Sequence, residues 1–266
     1  MVSNPKYLSK NIIQTLAHTD KLYVHSVFNN GINLKAHDRL IFIGLKDGPS
    51  AIKIDKDQIE TLVKTKVNDE VIYENRKLKL RSVNLIIDLS KSHTKTYDIQ
   101  VQNINSSNIS RVERIILGYN FITGFEEKII DLVERLDNEY ANDVDYLDYL
   151  LGRGKGLTPS GDDFVVGMLA YHQVNPFLSE EFLNTLDKKI EAKVTTDISL
   201  NFLMDARDGY FVQEIIDLFD AVGSNSNFIA HIYNIANFGH TSGVDMLSGI
   251  FAAIRLERKN GGLYEK

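Results

Sequence analysis

The chain has 266 residues, with 30 basic against 36 acidic side chains and a formal charge of −6 at pH 7. That balance, with the basic residues scattered, argues against a nucleic-acid partner, which normally meets a basic face. The absence of cysteine excludes disulfides, thiolate metal sites and cysteine nucleophiles. An apolar share of 43% is that of an ordinary globular protein, and the length suits one large or two small domains. Met1-Val2-Ser3-Asn4-Pro5-Lys6 lacks the apolar run of a signal peptide, and no stretch is long and apolar enough to cross a bilayer. A cytoplasmic protein with no membrane partner is the expectation.

Residues 7–17 are predicted to form a short helix with Leu8, Ile12, Ile13 and Leu16 inward. Short β-rich runs follow at 22–28, 39–45, 51–54, 70–73, 77–80 and 84–88, with a helical turn at 58–64. Asn29-Asn30-Gly31 and Asp47-Gly48-Pro49 are turn signals between such runs. Runs this short suggest a small antiparallel sheet or barrel. The polar stretch Asn103-Ile104-Asn105-Ser106-Ser107-Asn108 marks a boundary, after which the period becomes helical. Helices are predicted at 111–119, 125–136, 143–151, 162–173, 180–194, 197–208, 211–221, 228–237 and 244–259. The fold class expected is therefore α+β: a barrel-like β domain over 1–105, then a mainly α-helical domain over 106–266.

The chemistry gathers in the second part. Gly152-Arg153-Gly154-Lys155-Gly156 alternates glycine with positive charge, which leaves a backbone able to take positive φ and to present its N–H groups to an anion. A helix start follows. Thr158 or Ser160 can act as N-cap, Pro159 tolerates the first turn, and Asp162 and Asp163 suit the positive end of the dipole. A glycine-rich loop feeding a helix N-terminus is a sensible place for a phosphate or carboxylate. It is not a Walker loop, because Gly156 is followed by Leu157-Thr158 rather than Lys-Ser/Thr, and the preceding stretch reads as a helix rather than a Rossmann strand.

A second stretch repeats the pattern. Ser160-Gly161-Asp162-Asp163-Phe164-Val165-Val166-Gly167 and Ser242-Gly243-Val244-Asp245-Met246-Leu247-Ser248-Gly249 share Ser-Gly-x-Asp-apolar-x-x-Gly. Capping chemistry and close helix packing would account for the pattern alone. The sharper expectation is that both caps converge on one anion site.

The run Gly-Arg-Gly-Lys-Gly-Leu-Thr-Pro-Ser-Gly-Asp-Asp, complete from Gly152 to Asp163, resembles the signature of the AllH-like family, formerly an uncharacterised bacterial domain family. Further likeness lies in Val24-His25-Ser26-Val27-Phe28 with Asn33-Leu34, in Thr195-Thr196 with Ser199 and Leu203, and in Gly239-His240-Thr241-Ser242-Gly243-Val244-Asp245. The family's best-placed member is the AllH subunit of oxamate carbamoyltransferase. The resemblance implies a transferase subunit of allantoin degradation that works with larger subunits, where oxalurate and phosphate give oxamate and carbamoyl phosphate. The other reading is a non-catalytic anion-binding or assembly subunit, with the catalytic groups on partners.

Carbamoyl transfer needs charge stabilisation and positioning more than acid–base work. The expected anion site comprises Gly152, Arg153, Gly154, Lys155, Gly156, Thr158, Ser160 and Gly161 from the first cap. The second cap adds Thr241, Ser242 and Gly243, and Thr196 and Ser199 could line the same cavity. Asp163, Asp245 and His240 are the candidate catalytic groups; His240 could donate to an oxyanion or act as a base. No cofactor is assigned, although Asp162 and Asp163 could hold Mg²⁺. Solvated loop charge, dipole capping and a structural histidine are the bland alternatives. The partners expected are a small anionic substrate (phosphate, carbamoyl phosphate or an oxamate-like acid) and the other subunits. His25 and Ser26, in a predicted strand, read as packing or interdomain residues.

Overall fold

The computed structural model describes residues 1–101, 104–140 and 142–259. The chain is α+β, as expected: a curled, half-barrel sheet comes first and helices follow. It divides into two compact units, Met1–Tyr97 and Asp98–Lys266. The polar stretch read as a boundary begins at Asn103, which lies outside the described residues.

In the first unit the strands are β1 Val2–Ser3, β2 Tyr7–Ser9, β3 Leu22–Phe28, β4 Gly31–Ala36, β5 Arg39–Gly44, β6 Ala51–Lys53, β7 Glu70–Glu74, β8 Lys77–Leu80, β9 Leu85–Asp88 and β10 His93–Lys95. Eight of them form one sheet in the order β1-β9-β8-β7-β3-β4-β5-β6, and β10 pairs with β2. The interior pairings are antiparallel, while β1 on β9 and β6 on β5 are parallel. Alternation sets the inner face: Val24, Ile32, Leu34, Ile43, Leu78 and Ile87 are all fully buried. The helices α1 Lys10–Ala17 and α2 Lys56–Leu62 add Ile12, Leu16, Ile59 and Leu62 to that core. Residues 7–9, expected as the first turn of α1, are strand β2 instead, because Ser9 caps α1 by accepting from the Asn11 N–H.

The second unit is built from α3 Ser106–Gly118, α4 Ile129–Glu139, α5 Asp143–Leu150, α6 Ser160–Val174, α7 Glu180–Glu191, α8 Asp197–Arg207, α9 Gln213–Gly223, α10 Ile229–Ala236 and α11 Ser242–Lys259. Most are amphipathic, but α6 is buried all round from Ser160 to Tyr171 and α11 nearly so from Gly243 to Ile254. A helix apolar on every side belongs at the centre, and these two form the central pair.

Their approach depends on glycine. A Cβ on Gly167 would stand 2.0 Å from the Met246 carbonyl oxygen, and one on Gly249 would stand 1.9 Å from that of Phe164. These contacts are mutual: Gly167 and Met246 hold the same places in the two repeats as Gly249 and Phe164. The caps repeat the device. Gly161 lies against the carbonyl of Leu150 at the end of α5, and Gly243 against that of Ile235 near the end of α10. The sequence echo thus marks an internal repeat, α5-loop-α6 and α10-loop-α11, whose long helices cross face to face.

Candidate functional site at the paired helix starts

The crossing brings the two helix starts together. Thr158 Oγ1 and Ser242 Oγ lie 3.2 Å apart, joining the first cap to the second. An open cleft of about 820 Å³ lies over them, lined by Thr158 and Ser160, by His240, Thr241 and Ser242, and by Lys155, Gly156 and Leu157 of the glycine-rich loop. Residues of a third segment, Ile122, Thr123, Gly124 and Glu126, complete the wall.

Gly152, Gly154 and Gly156 have φ of 74°, 123° and 95°, values that L side chains rarely adopt. The loop is held from beneath by Asp162, which is 1% exposed. Its Oδ1 accepts from the Gly152 N–H at 2.7 Å, and its Oδ2 accepts from the Thr195 and Ser199 hydroxyls. The Thr196 hydroxyl donates to the Leu157 carbonyl and also accepts from the Ser199 N–H. Thr195, Thr196 and Ser199 therefore brace the loop and lie outside the cleft lining. With both oxygens of Asp162 occupied, its chemistry is that of a brace. Among the described residues no group of three or more His, Asp or Glu side chains gathers as a metal centre, and no residue here is assigned as a metal ligand.

The local cap expected at Thr158 or Ser160 gives way to Pro159, which holds the N-cap position of α6 with no side-chain cap bond. The hydroxyls reach across the crossing instead. The Gly161 and Gly243 N–H groups are engaged by the Arg153 and Phe238 carbonyls at 2.9 and 3.0 Å, so these amides serve the chain's own turns. Arg153 stacks on the Tyr149 ring at 4.1 Å and donates to the Tyr149 carbonyl. Lys155 is 94% exposed and faces Glu126 at 3.5 Å. It is the cation that lines the cleft. In the first unit, His25 Nδ1 and Asn33 Nδ2 both meet Ser26 Oγ, at 3.2 Å each.

Asp163 and Asp245 sit under the cleft, 2% and 0% exposed. One oxygen of each, Oδ2, is buried without a hydrogen-bond partner. Asp245 Oδ1 accepts from the Gly124 N–H at 2.8 Å. Burial pushes the Asp163 carboxyl up to about 8; the Asp245 and Asp162 charges add to that rise, while the Ser242 and Thr158 hydroxyls oppose it. Burial lifts Asp245 to about 6, held there by the Gly124 amide and by the Ser160 and Thr241 hydroxyls. Both carboxyls are thus raised by burial, Asp163 further than Asp245, so Asp163 is the one that holds its proton to higher pH.

A carboxyl raised on folding binds its proton more tightly in the native state, so stability declines as pH rises from about 4 towards 8. Asp163→Asn is expected to flatten the fall in melting temperature between pH 5 and pH 8.5. An undiminished fall in that variant would show that Asp163 is not its source.

Sequence reasoning missed the third wall, because 125–136 read as one helix. Residues 123–128 instead form a tight turn, with the Thr123 N–H donating to the Glu127 carbonyl and Glu126 at φ 65°. Thr123-Gly124 was the available signal.

Residues 150–254, which span the glycine-rich loop and both caps, match the family model described as oxamate carbamoyltransferase subunit AllH, and residues 4–95 match the AllH family N-terminal domain. The chain belongs to the AllH family. None of the solved structures matches it. The AllH match begins at the last residue of α5 and ends within α11, and so takes in both glycine-capped helix starts with the helices between them.

Proposed function

We propose that this AllH-family chain is a subunit of an oxamate carbamoyltransferase-like enzyme, and that the cleft over the paired caps holds its anionic reactant. The observation that carries the reading is that both caps and the glycine-rich loop line one cleft. Two helix N-termini aimed at one space favour negative charge there, and the hydroxyls of Thr158 and Ser242 with Lys155 add donors. In the transfer, a phosphate oxygen attacks the carbamoyl carbon of oxalurate, the bond to the amide nitrogen breaks, and the proton of hydrogen phosphate passes to that nitrogen as oxamate leaves. His240, exposed on the cleft wall, is placed to carry that proton or to donate to the carbonyl oxygen as charge develops. Asp245, anchored by the Gly124 N–H, fixes the second helix start.

Lys155→Ala is expected to weaken phosphate or carbamoyl phosphate binding by about threefold to tenfold, the worth of one exposed charge-assisted contact. Calorimetric titration checks it, and unchanged affinity removes Lys155 from the site. The family's description as a subunit favours a second reading, in which the cleft binds an anion and partners carry the catalytic groups. Phosphate-dependent breakdown of oxalurate, assayed with the chain alone and with its genomic neighbours' products, separates the two. Turnover by the chain alone supports catalysis here; turnover only in the mixture assigns the catalytic groups to the complex.

A further inference from the structure

We propose that the proton on Asp163 sets the direction of the Thr158–Ser242 hydroxyl pair, so that the cleft receives an anion only while Asp163 is protonated. The inference rests on the reading of the cleft as an anion site and assigns Asp163 as its positioning residue. Asp163 does not line the cleft; Thr158 and Ser242 do, and both lie within hydrogen-bonding reach of its carboxyl. Either of those hydroxyls can donate to the other across 3.2 Å.

A hydroxyl has one proton to give. An ionised Asp163 draws the protons of Ser242 and Thr158 inward and leaves lone pairs facing the cleft, where they repel an anion. A protonated Asp163 donates to the pair instead, and frees a hydroxyl proton to point outward. The geometry favours the second arrangement. Asp163 Oδ2 is buried without a partner, and a bare carboxylate oxygen in a dry site is costly. Asp245 Oδ2 is likewise without a partner, but the Gly124 N–H on its Oδ1 makes Asp245 the better seat for a negative charge on the pair.

The charged and titratable groups around Asp163 are few. Asp162 neighbours it on α6, Asp245 faces it from α11, and His240, Lys155 and Glu126 line the cleft above. Asp162 and Asp245 both oppose ionisation of Asp163.

Inorganic sulfate is the probe, since it stays dianionic from pH 6 to pH 9, and His240→Gln is the background, which takes the imidazole out of the cleft. With the Asp163 carboxyl at about 8, sulfate affinity in that background is expected to fall about tenfold between pH 7 and pH 9. Calorimetry near pH 8 in two buffers of different ionisation heat should show proton uptake on sulfate binding. Adding Asp163→Asn should abolish both the uptake and the pH dependence while sulfate still binds. The same pH dependence in the Asp163→Asn variant, or no proton uptake by the Asp163 form, would overturn the proposal. The uptake measurement needs no Asp163 variant, so it decides even if that variant fails to fold. Mg²⁺ binding that Asp163→Asn abolishes would overturn it too, because the carboxyls would then be ionised cation ligands. Failure of sulfate to bind at any pH would instead remove the anion site itself.

Discussion

Gly249→Ala is expected to destabilise the helical unit by more than about 3 kcal/mol, lowering the melting temperature by on the order of 10 °C or preventing folding. The added methyl carbon would lie 1.9 Å from the Phe164 carbonyl oxygen and 2.9 Å from the Met168 nitrogen. Those are backbone atoms of the middle of α6, so no side-chain rotation relieves the clash; the helices must part. Parting them opens the most buried interface of the unit, since Phe164, Val165, Met168, Leu247, Ile250 and Phe251 are all 0 to 1% exposed on either side. Gly167→Ala meets the mirrored contact with Met246 and should behave alike. Gly118→Ala at the end of α3, where nothing lies within 4 Å, is the control and should change stability by less than about 1 kcal/mol. Thermal denaturation compares them, and a Gly249→Ala protein melting with the unmutated chain would refute the close crossing.

Asp162→Ala should cost about 3 to 5 kcal/mol and weaken anion binding as well. The carboxylate accepts from the Gly152 amide and from two hydroxyls, all within 2.7 Å, and removing it strands those donors in a site that is nearly closed to water. The effect reaches the cleft because Gly152 opens the loop that carries Lys155 and Gly156. Asp162→Asn keeps an acceptor for one or two donors and should lie between. Denaturant unfolding gives the stability, and sulfate titration of the folded fraction gives the affinity. Loss of stability with affinity intact would detach the brace from the site.

Several elements were legible because their signals are local. The Leu22–Phe28 and Lys77–Leu80 strands and most helix centres fall where alternation or helical period placed them. The Gly31–Ala36 strand was hidden by its own turn signal: Asn29-Asn30 suffices for the hairpin, and Gly31 already pairs with Phe28. The short strands β1 and β10 exist only through parallel partners, Ile86–Ile87 and Tyr7–Ser9, that local reading cannot supply. At the site, the repeated Ser-Gly-x-Asp pattern announced two like helix starts, and their convergence follows from the glycines that let the helices cross. The Gly124 amide was invisible to the same reasoning, because its partner Asp245 lies 121 residues away. Likewise the Ser160 and Ser242 hydroxyls serve the carboxyl of the opposite helix, which spacing along one helix does not reveal.

The most direct test of the central claim is a crystal structure of the chain soaked with phosphate. The account predicts phosphate density in the cleft, touching Gly156, Thr158 and Ser242. Phosphate bound elsewhere on the chain, with this cleft empty at saturating concentration, would contradict it.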